Sequence, residues 1–158
     1  MSDKAGMVLL QVEGLALDQE NSPVVLLREA AGKRAVPIWI GHSEAYAISL
    51  ELEGKKAPRP LTHDLLRDAL EQLGAAVVSV IISDAHDNTY FARMVLQPAK
   101  GPLKELDCRP SDGIAIALRM KAPILINEQF LARIERERAQ REEQEKGRMA
   151  IDTGGTVH

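Results

Sequence analysis

The stretch from Ser111 to Lys121 limits the fold more than any other part of this chain. Ile114, Ala115, Ile116, Ala117 and Leu118 form an unbroken apolar run within a segment of helical length. A helix that is apolar nearly all round has to be buried. The run therefore predicts a helix enclosed by other elements. Its polar start, Ser111-Asp112, is then either paired internally or opens into a cleft. With 158 residues, 45% of them hydrophobic, the chain is long enough for one domain with a sizeable core. Aromatic residues make up only 3%, so Val, Leu, Ile and Ala have to fill that core.

Around this helix the apolar period switches between two and 3.6 residues. Residues 7–17 alternate, with Val8, Leu10 and Val12 on one face and Gln11 and Glu13 on the other. Asp18 to Pro23 is a turn, Val24 to Leu27 a second strand, and Arg34 to Ile40 a third with Pro37 at an edge or bulge. Together they predict an antiparallel meander. A helix over 43–53 repeats Ala45, Ile48 and Leu52 and stops at Gly54. The next has Thr62 as its N-cap, buries Leu66, Ala69, Leu70 and Leu73, and ends with Gly74 at C′. Strands over 76–83 and 89–97 flank a turn at 84–88 and form a hairpin. Short strands follow over 103–107 and 123–126, either side of the buried helix.

A long helix then runs from Asn127 to about Gly147. Its second half alternates charges, with Glu137–Arg141 and Glu142–Lys146 in the favourable i,i+4 order, and reads as solvated or partner-facing. Residues 153–156 read as frayed. The expected class is α+β: antiparallel or mixed strands with packed helices and a long charged C-terminal helix. The expected division is a domain over 1–131 and a charged tail over 132–158.

Two polar blocks carry the chemistry: Arg59-Pro60-Leu61-Thr62-His63-Asp64 and Asp107-Cys108-Arg109-Pro110-Ser111-Asp112. Each places Arg-Pro, a hydroxyl and a carboxylate at a helix mouth. A helix start presents unpaired N–H groups and partial positive charge, which attract anions. Arg59 and Arg109 favour phosphate or carboxylate further. Asp64, Asp107 and Asp112, with Glu44 in another first turn, are carboxylates able to hold a divalent cation such as Mg or Mn. Such an ion polarises a phosphoryl oxygen or generates hydroxide. The rival reading of the same residues is a structural Arg–Asp network. His63, at a helix N-terminus that disfavours its protonated ring, fits a neutral base or a metal ligand.

Thr62 and Ser111 lack a nucleophile elbow and read as caps. Arg109 competes with Ser111 for that role if Pro110 takes the first helical position. Cys108 is the one cysteine, so the chain has no internal disulfide and no Cys-based zinc site, and Cys108 reads as a small buried residue. A net charge of −3 and a pI near 5.8 argue against a broad electrostatic footprint for nucleic acid. A nucleic-acid substrate has to be held by a local cluster or by an oligomer's combined surface. The start lacks a long apolar h-region and no apolar run spans a bilayer, which predicts a cytoplasmic chain without membrane contact.

Several of these segments occur together in one family. Pro37-Ile38-Trp39-Ile40-Gly41, Glu44-Ala45, Pro58-Arg59-Pro60, Thr62-His63-Asp64-Leu65-Leu66 and Asp107-x-Arg109-Pro110-Ser111-Asp112, then Ala115 and Ala117, resemble the bifunctional nuclease domain family. The similarity runs from about Met7 to Leu131. It implies a small α+β domain, usually oligomeric, with ribonuclease and deoxyribonuclease activity. On that expectation the chain is a homo-oligomeric nuclease cutting phosphodiester bonds of RNA and DNA with divalent-metal assistance. Arg59 and Arg109 would hold the scissile phosphate. Glu44, Asp64, Asp107 and Asp112 would coordinate the ion, and His63 would be the general base beside Asp64 and Asp112. The alternative is a non-catalytic, oligomeric anion-binding or scaffold module, with structural Arg–Asp groups and the 132–148 helix as contact surface.

Overall fold

The computed structural model describes residues 6–153. Their elements run β1 (Met7–Leu17), β2 (Pro23–Glu29), β3 (Ala35–Trp39), α1 (His42–Glu53), α2 (Thr62–Gln72) and β4 (Ala76–His86). Then come β5 (Thr89–Gln97), β6 (Lys104–Cys108), α3 (Pro110–Met120), β7 (Ile124–Asn127) and α4 (Glu128–Thr153). The expected α+β class holds: one seven-stranded mixed sheet, in the order β3-β2-β1-β7-β4-β5-β6, packed with helices. The expected meander is present as antiparallel β1-β2-β3, with Pro37 on the edge strand. Pairing is antiparallel throughout except for β4 with β7.

Alternation decides which face receives the helices. Val25, Leu27, Val36, Ile38, Val80, Ile82, Ile124 and Ile126 are all buried and share one core with Ile48, Ile114, Ile116 and Leu131 from the helices. In register, Val80 lies beside Ile124 and Ile82 beside Ile126, so these four line one face. The other face carries exposed Leu9, Trp39 and Phe91 and the Glu13–Arg28 cross-strand pair.

Helix α3 is enclosed as its composition requires, with Ile114, Ala115, Ile116 and Ala117 at 2% exposure or less. Gly113 lets it sit close to the sheet. A Cβ there would lie 2.7 Å from Val80 Cγ1 and 3.3 Å from Cys108 Sγ. Val80 is held in the core and Cys108 packs half-buried against it, so Gly113→Ala is expected to destabilise the fold by about 1–3 kcal/mol through overpacking. Urea unfolding of the variant measures this directly.

Local corrections have local causes. The N-cap of α2 is Leu61 and Thr62 is already helical. Asp64, three residues on, accepts the Leu61 N–H at 2.9 Å, so a carboxylate from inside the helix does the capping expected of Thr62. At α3 the cap is Arg109 with Pro110 first in the helix, the arrangement that competed with a Ser111 cap. The hairpin turn is tighter than 84–88: strands persist to His86 and from Thr89, leaving Asp87 and Asn88 at φ 50° and 64°. Two consecutive left-handed residues match the twist of the flanking strands, and Asp and Asn tolerate that conformation. Helix α4 extends beyond Gly147 to Thr153; it buries Phe130, Leu131 and Ile134, then leaves the core. Positions 154–156 of the expected frayed end lie outside the described residues. Arg34 clamps α4's start, binding Glu128 at 2.7 Å and Glu29 at 2.9 Å.

Candidate functional site

The helix mouths at α2 and α3 meet. Asp112, in the first turn of α3, accepts from His63 Nε2 at 2.8 Å through Oδ1. Its Oδ2 accepts from Arg109 Nε at 2.9 Å. The NH2 nitrogen of Arg109 reaches Glu44 Oε1 at 2.9 Å, and Asp112 Oδ1 at 3.2 Å. The structure therefore brings together His63, Asp112, Arg109 and Glu44 from three helices. The fourfold cluster is neither dry nor fully open. The side chain of His63 is 13% exposed and that of Asp112 28%, while that of Arg109 is 66% exposed. Among the described residues no hydrogen bond uses the second terminal nitrogen of Arg109.

Asp112 is ionised in this setting. Its burial pushes the carboxyl up, but the hydrogen bonds from Arg109 and His63 outweigh that and hold it below the usual carboxylate value. An ionised carboxylate can only accept, so the shared proton sits on His63 Nε2 and leaves Nδ1 as the basic nitrogen. Cys108 is no nucleophile here. Burial, with the nearby charges of Asp112 and Asp107, pushes its thiol up to about 11.

Two expected members are elsewhere. Asp64 neighbours His63 in sequence but turns the other way on α2, accepting from Arg119 Nε at 2.7 Å and from the Leu61 N–H. Asp107 pairs in register with Arg93 one position before Cys108. Alternation therefore sends its side chain to the opposite face of the sheet from Cys108 and the helices. Consequently Glu44, Asp64, Asp107 and Asp112 do not gather as the set expected to share a divalent ion. Among the described residues no three His, Cys, Asp or Glu side chains are placed to hold a metal. Arg59 stands exposed in the loop between α1 and α2.

The residue that the sequence reading missed is Arg119, whose side chain is 1% exposed. It donates to Asp64, to the Ala115 carbonyl at 3.1 Å and to the Ala47 carbonyl at 3.1 Å, tying α1, α2 and α3 together. The signal was a lone guanidinium in an otherwise apolar helix, two turns after Asp112 and so on the same face. With α2 fixed by Arg119–Asp64, His63 is delivered to Asp112. Asp64 is likewise held low: burial raises it, and the Leu61 N–H and Arg119 more than reverse this.

Both carboxyls therefore titrate lower folded than unfolded. Their stabilisation is complete above the ordinary value of 3.8 and is lost as pH falls through the depressed folded values. The melting temperature is expected to drop on acidification below that value. The drop should be shallower in an Asp64→Asn/Asp112→Asn variant, measured by circular dichroism across pH.

Comparison with known proteins identifies the family. The family model described as the bifunctional nuclease domain matches residues 25–138. An uncharacterized protein of Mycobacterium tuberculosis is 46% identical over 124 residues, covering 78% of this chain and 73% of its own length. Bifunctional nuclease 1 of Oryza sativa subsp. japonica is 28% identical over 138 residues, covering 77% of this chain and 42% of its own. Bifunctional nuclease 2 of Arabidopsis thaliana is 28% identical over 109 residues, covering 68% and 33%. The chain thus spans less than half the length of these plant relatives. The matched span includes Glu44, Arg59, His63, Asp64, Arg109, Asp112 and Arg119, and the chain belongs to the bifunctional nuclease domain family.

Proposed function

We propose that this protein is a nuclease that hydrolyses phosphodiester bonds of RNA and DNA, with His63 as general base and Arg109 as the contact to the scissile phosphate. The observation that supports it most is the His63–Asp112–Arg109–Glu44 cluster, half-open to solvent on the arginine side. Asp112 orients the imidazole and fixes its tautomer. His63 Nδ1 then takes the proton from an attacking hydroxyl, either a 2′-hydroxyl of RNA or a water. Arg109, held by two carboxylates, is pre-positioned to donate to the phosphoryl oxygens as negative charge builds there. As the new P–O bond forms, the P–O bond to the leaving oxygen breaks; that oxygen takes a proton from water, and the His63 imidazolium returns its proton to solvent. Arg59, exposed in the loop before α2, adds charge for the substrate backbone.

Because Asp64 is taken by Arg119, Glu44 and Asp112 are taken by Arg109, and Asp107 faces away from the helices, no step here is routed through a divalent ion. Assembly into a homo-oligomer, and a site of action in the cytoplasm, belong to the same proposal. The rival scaffold reading draws on the fact that both carboxylates of the cluster already have protein partners. The two readings separate on labelled single-stranded RNA and DNA incubated with purified protein, with and without EDTA. The proposal expects cleavage that co-purifies with the protein, persists in EDTA and disappears in Asp112→Ala. Equal cleavage by Asp112→Ala would leave the scaffold reading.

A further inference from the structure

A pocket of about 170 Å³ lies where the end of α1, the loop before α2, and the sides of α2 and α3 meet. Its charged lining is Lys55, Lys56, Arg67 and Arg119 against Glu51 and Asp64, a cationic excess on a chain whose net charge is −3. Arg119 and Asp64 neutralise each other at its floor, where every nitrogen of Arg119 already donates to a protein oxygen. Arg67 is shared between Asp68 at 3.0 Å and Asp64 at 3.8 Å. The cations left to a ligand are therefore Lys55 and Lys56. Lys55 has only a 3.3 Å pair with Glu53, and its side chain is 70% exposed. Pro58 and Pro60, also in the wall, restrict the loop that carries the lysines, which lowers the entropy cost of closing it on a ligand.

The pocket's place matters as much as its charge. Its floor residue Arg119 follows Asp112 by seven residues on the same face of α3, about 10 Å along the helix. Asp64, in its wall, is the immediate neighbour of His63.

We infer that this pocket binds a backbone phosphate of a single-stranded nucleic acid, on the same strand as the phosphate held at Arg109. The inference rests on the nuclease reading and deepens it. A concavity of this size admits one phosphate group. A flexible strand can dip into it while its neighbouring phosphate sits at Arg109, whereas a duplex holds its phosphates on a stiff outer rail. A local cationic track of this kind is how an acidic protein grips a polyanion without a basic surface.

The test is binding rather than turnover, so it is independent of whether catalysis occurs. A fluorescent 2′-O-methyl oligouridylate of about twelve nucleotides, and the corresponding dinucleotide, are titrated with the full chain while anisotropy is followed at several salt concentrations. Lys55→Gln/Lys56→Gln is expected to weaken the long oligonucleotide about tenfold. It should also lower the magnitude of the log–log salt slope by about 0.7, the value for one phosphate of a single strand no longer neutralised. Binding of the dinucleotide, which cannot reach both sites, should change little. Lys33→Gln/Lys100→Gln carries the same change in net charge on loops outside the pocket and is expected to bind like the wild type. The inference is overturned if the long oligonucleotide does not bind the wild type. It is also overturned if the pocket variant binds it as well as wild type, or if both double variants lose the same affinity. A chain that binds as expected but cleaves neither RNA nor DNA would sink the nuclease reading and leave the pocket standing.

Discussion

Arg119→Met is expected to cost about 3–5 kcal/mol of folding stability, the cost of stripping one partner from a buried ion pair. For a chain of this size that lowers the melting temperature by roughly 6–20 °C. Methionine is of similar length and apolar, so the loss is not mainly one of volume. It comes from what is left behind: the Asp64 carboxylate without its 2.7 Å partner, and the Ala47 and Ala115 carbonyls without their donors. Asp64 keeps the Leu61 N–H and a more distant Arg67, which limits the damage. A double-mutant cycle isolates the pair. Asp64→Asn combined with Arg119→Met should lose less than the two single losses added together, because the orphaned charge is gone. Thermal melts of the four proteins read this out. An Arg119→Met protein melting within about 2 °C of wild type would show that the guanidinium contributes nothing net.

His63→Gln is expected to lower the rate of RNA and DNA cleavage by about 10²–10⁴-fold, the usual worth of a positioned general base. That corresponds to about 3–5 kcal/mol of barrier. Glutamine keeps an N–H donor for Asp112 but has no basic nitrogen, so the fold and the Arg109 pairing are expected to survive. The contrast with Arg119→Met is the informative part. One variant should lose structure and activity together, the other activity alone. Asp112→Asn falls between them, because it removes the charge that fixes the His63 tautomer and also the anchor of Arg109.

Much of this architecture was legible because it rests on local chemistry. The alternation of Val8, Leu10 and Val12, the stop at Gly54 and the apolar girth of α3 each demand one conformation and one degree of burial, and each was met. What was not legible depends on partners far apart in the chain. The four-residue strand β7 fits between β1 and β4 in the middle of the sheet, and nothing in Ile124–Asn127 names those neighbours. The members of the cluster were visible as well: His63, Asp112 and Glu44 by their places in first turns, and Arg109 as a cation at a helix mouth.

The grouping of carboxylates was not visible. Asp64 and Asp107 looked equivalent to Asp112 because each stands near an arginine in sequence. Rotation along α2 commits Asp64 to Arg119, and strand alternation turns Asp107 away from the helices. Arg119 itself was hidden because a guanidinium in an apolar helix announces a buried partner without saying which one.

The account stands most directly on a single comparison: cleavage of a labelled single-stranded RNA by wild-type protein and by His63→Gln, purified identically and checked for equal melting temperature. It predicts cleavage by the wild type and at least a hundredfold slower cleavage by the variant. Equal rates in two equally folded proteins would contradict it, because the imidazole oriented by Asp112 would then have no part in breaking the bond.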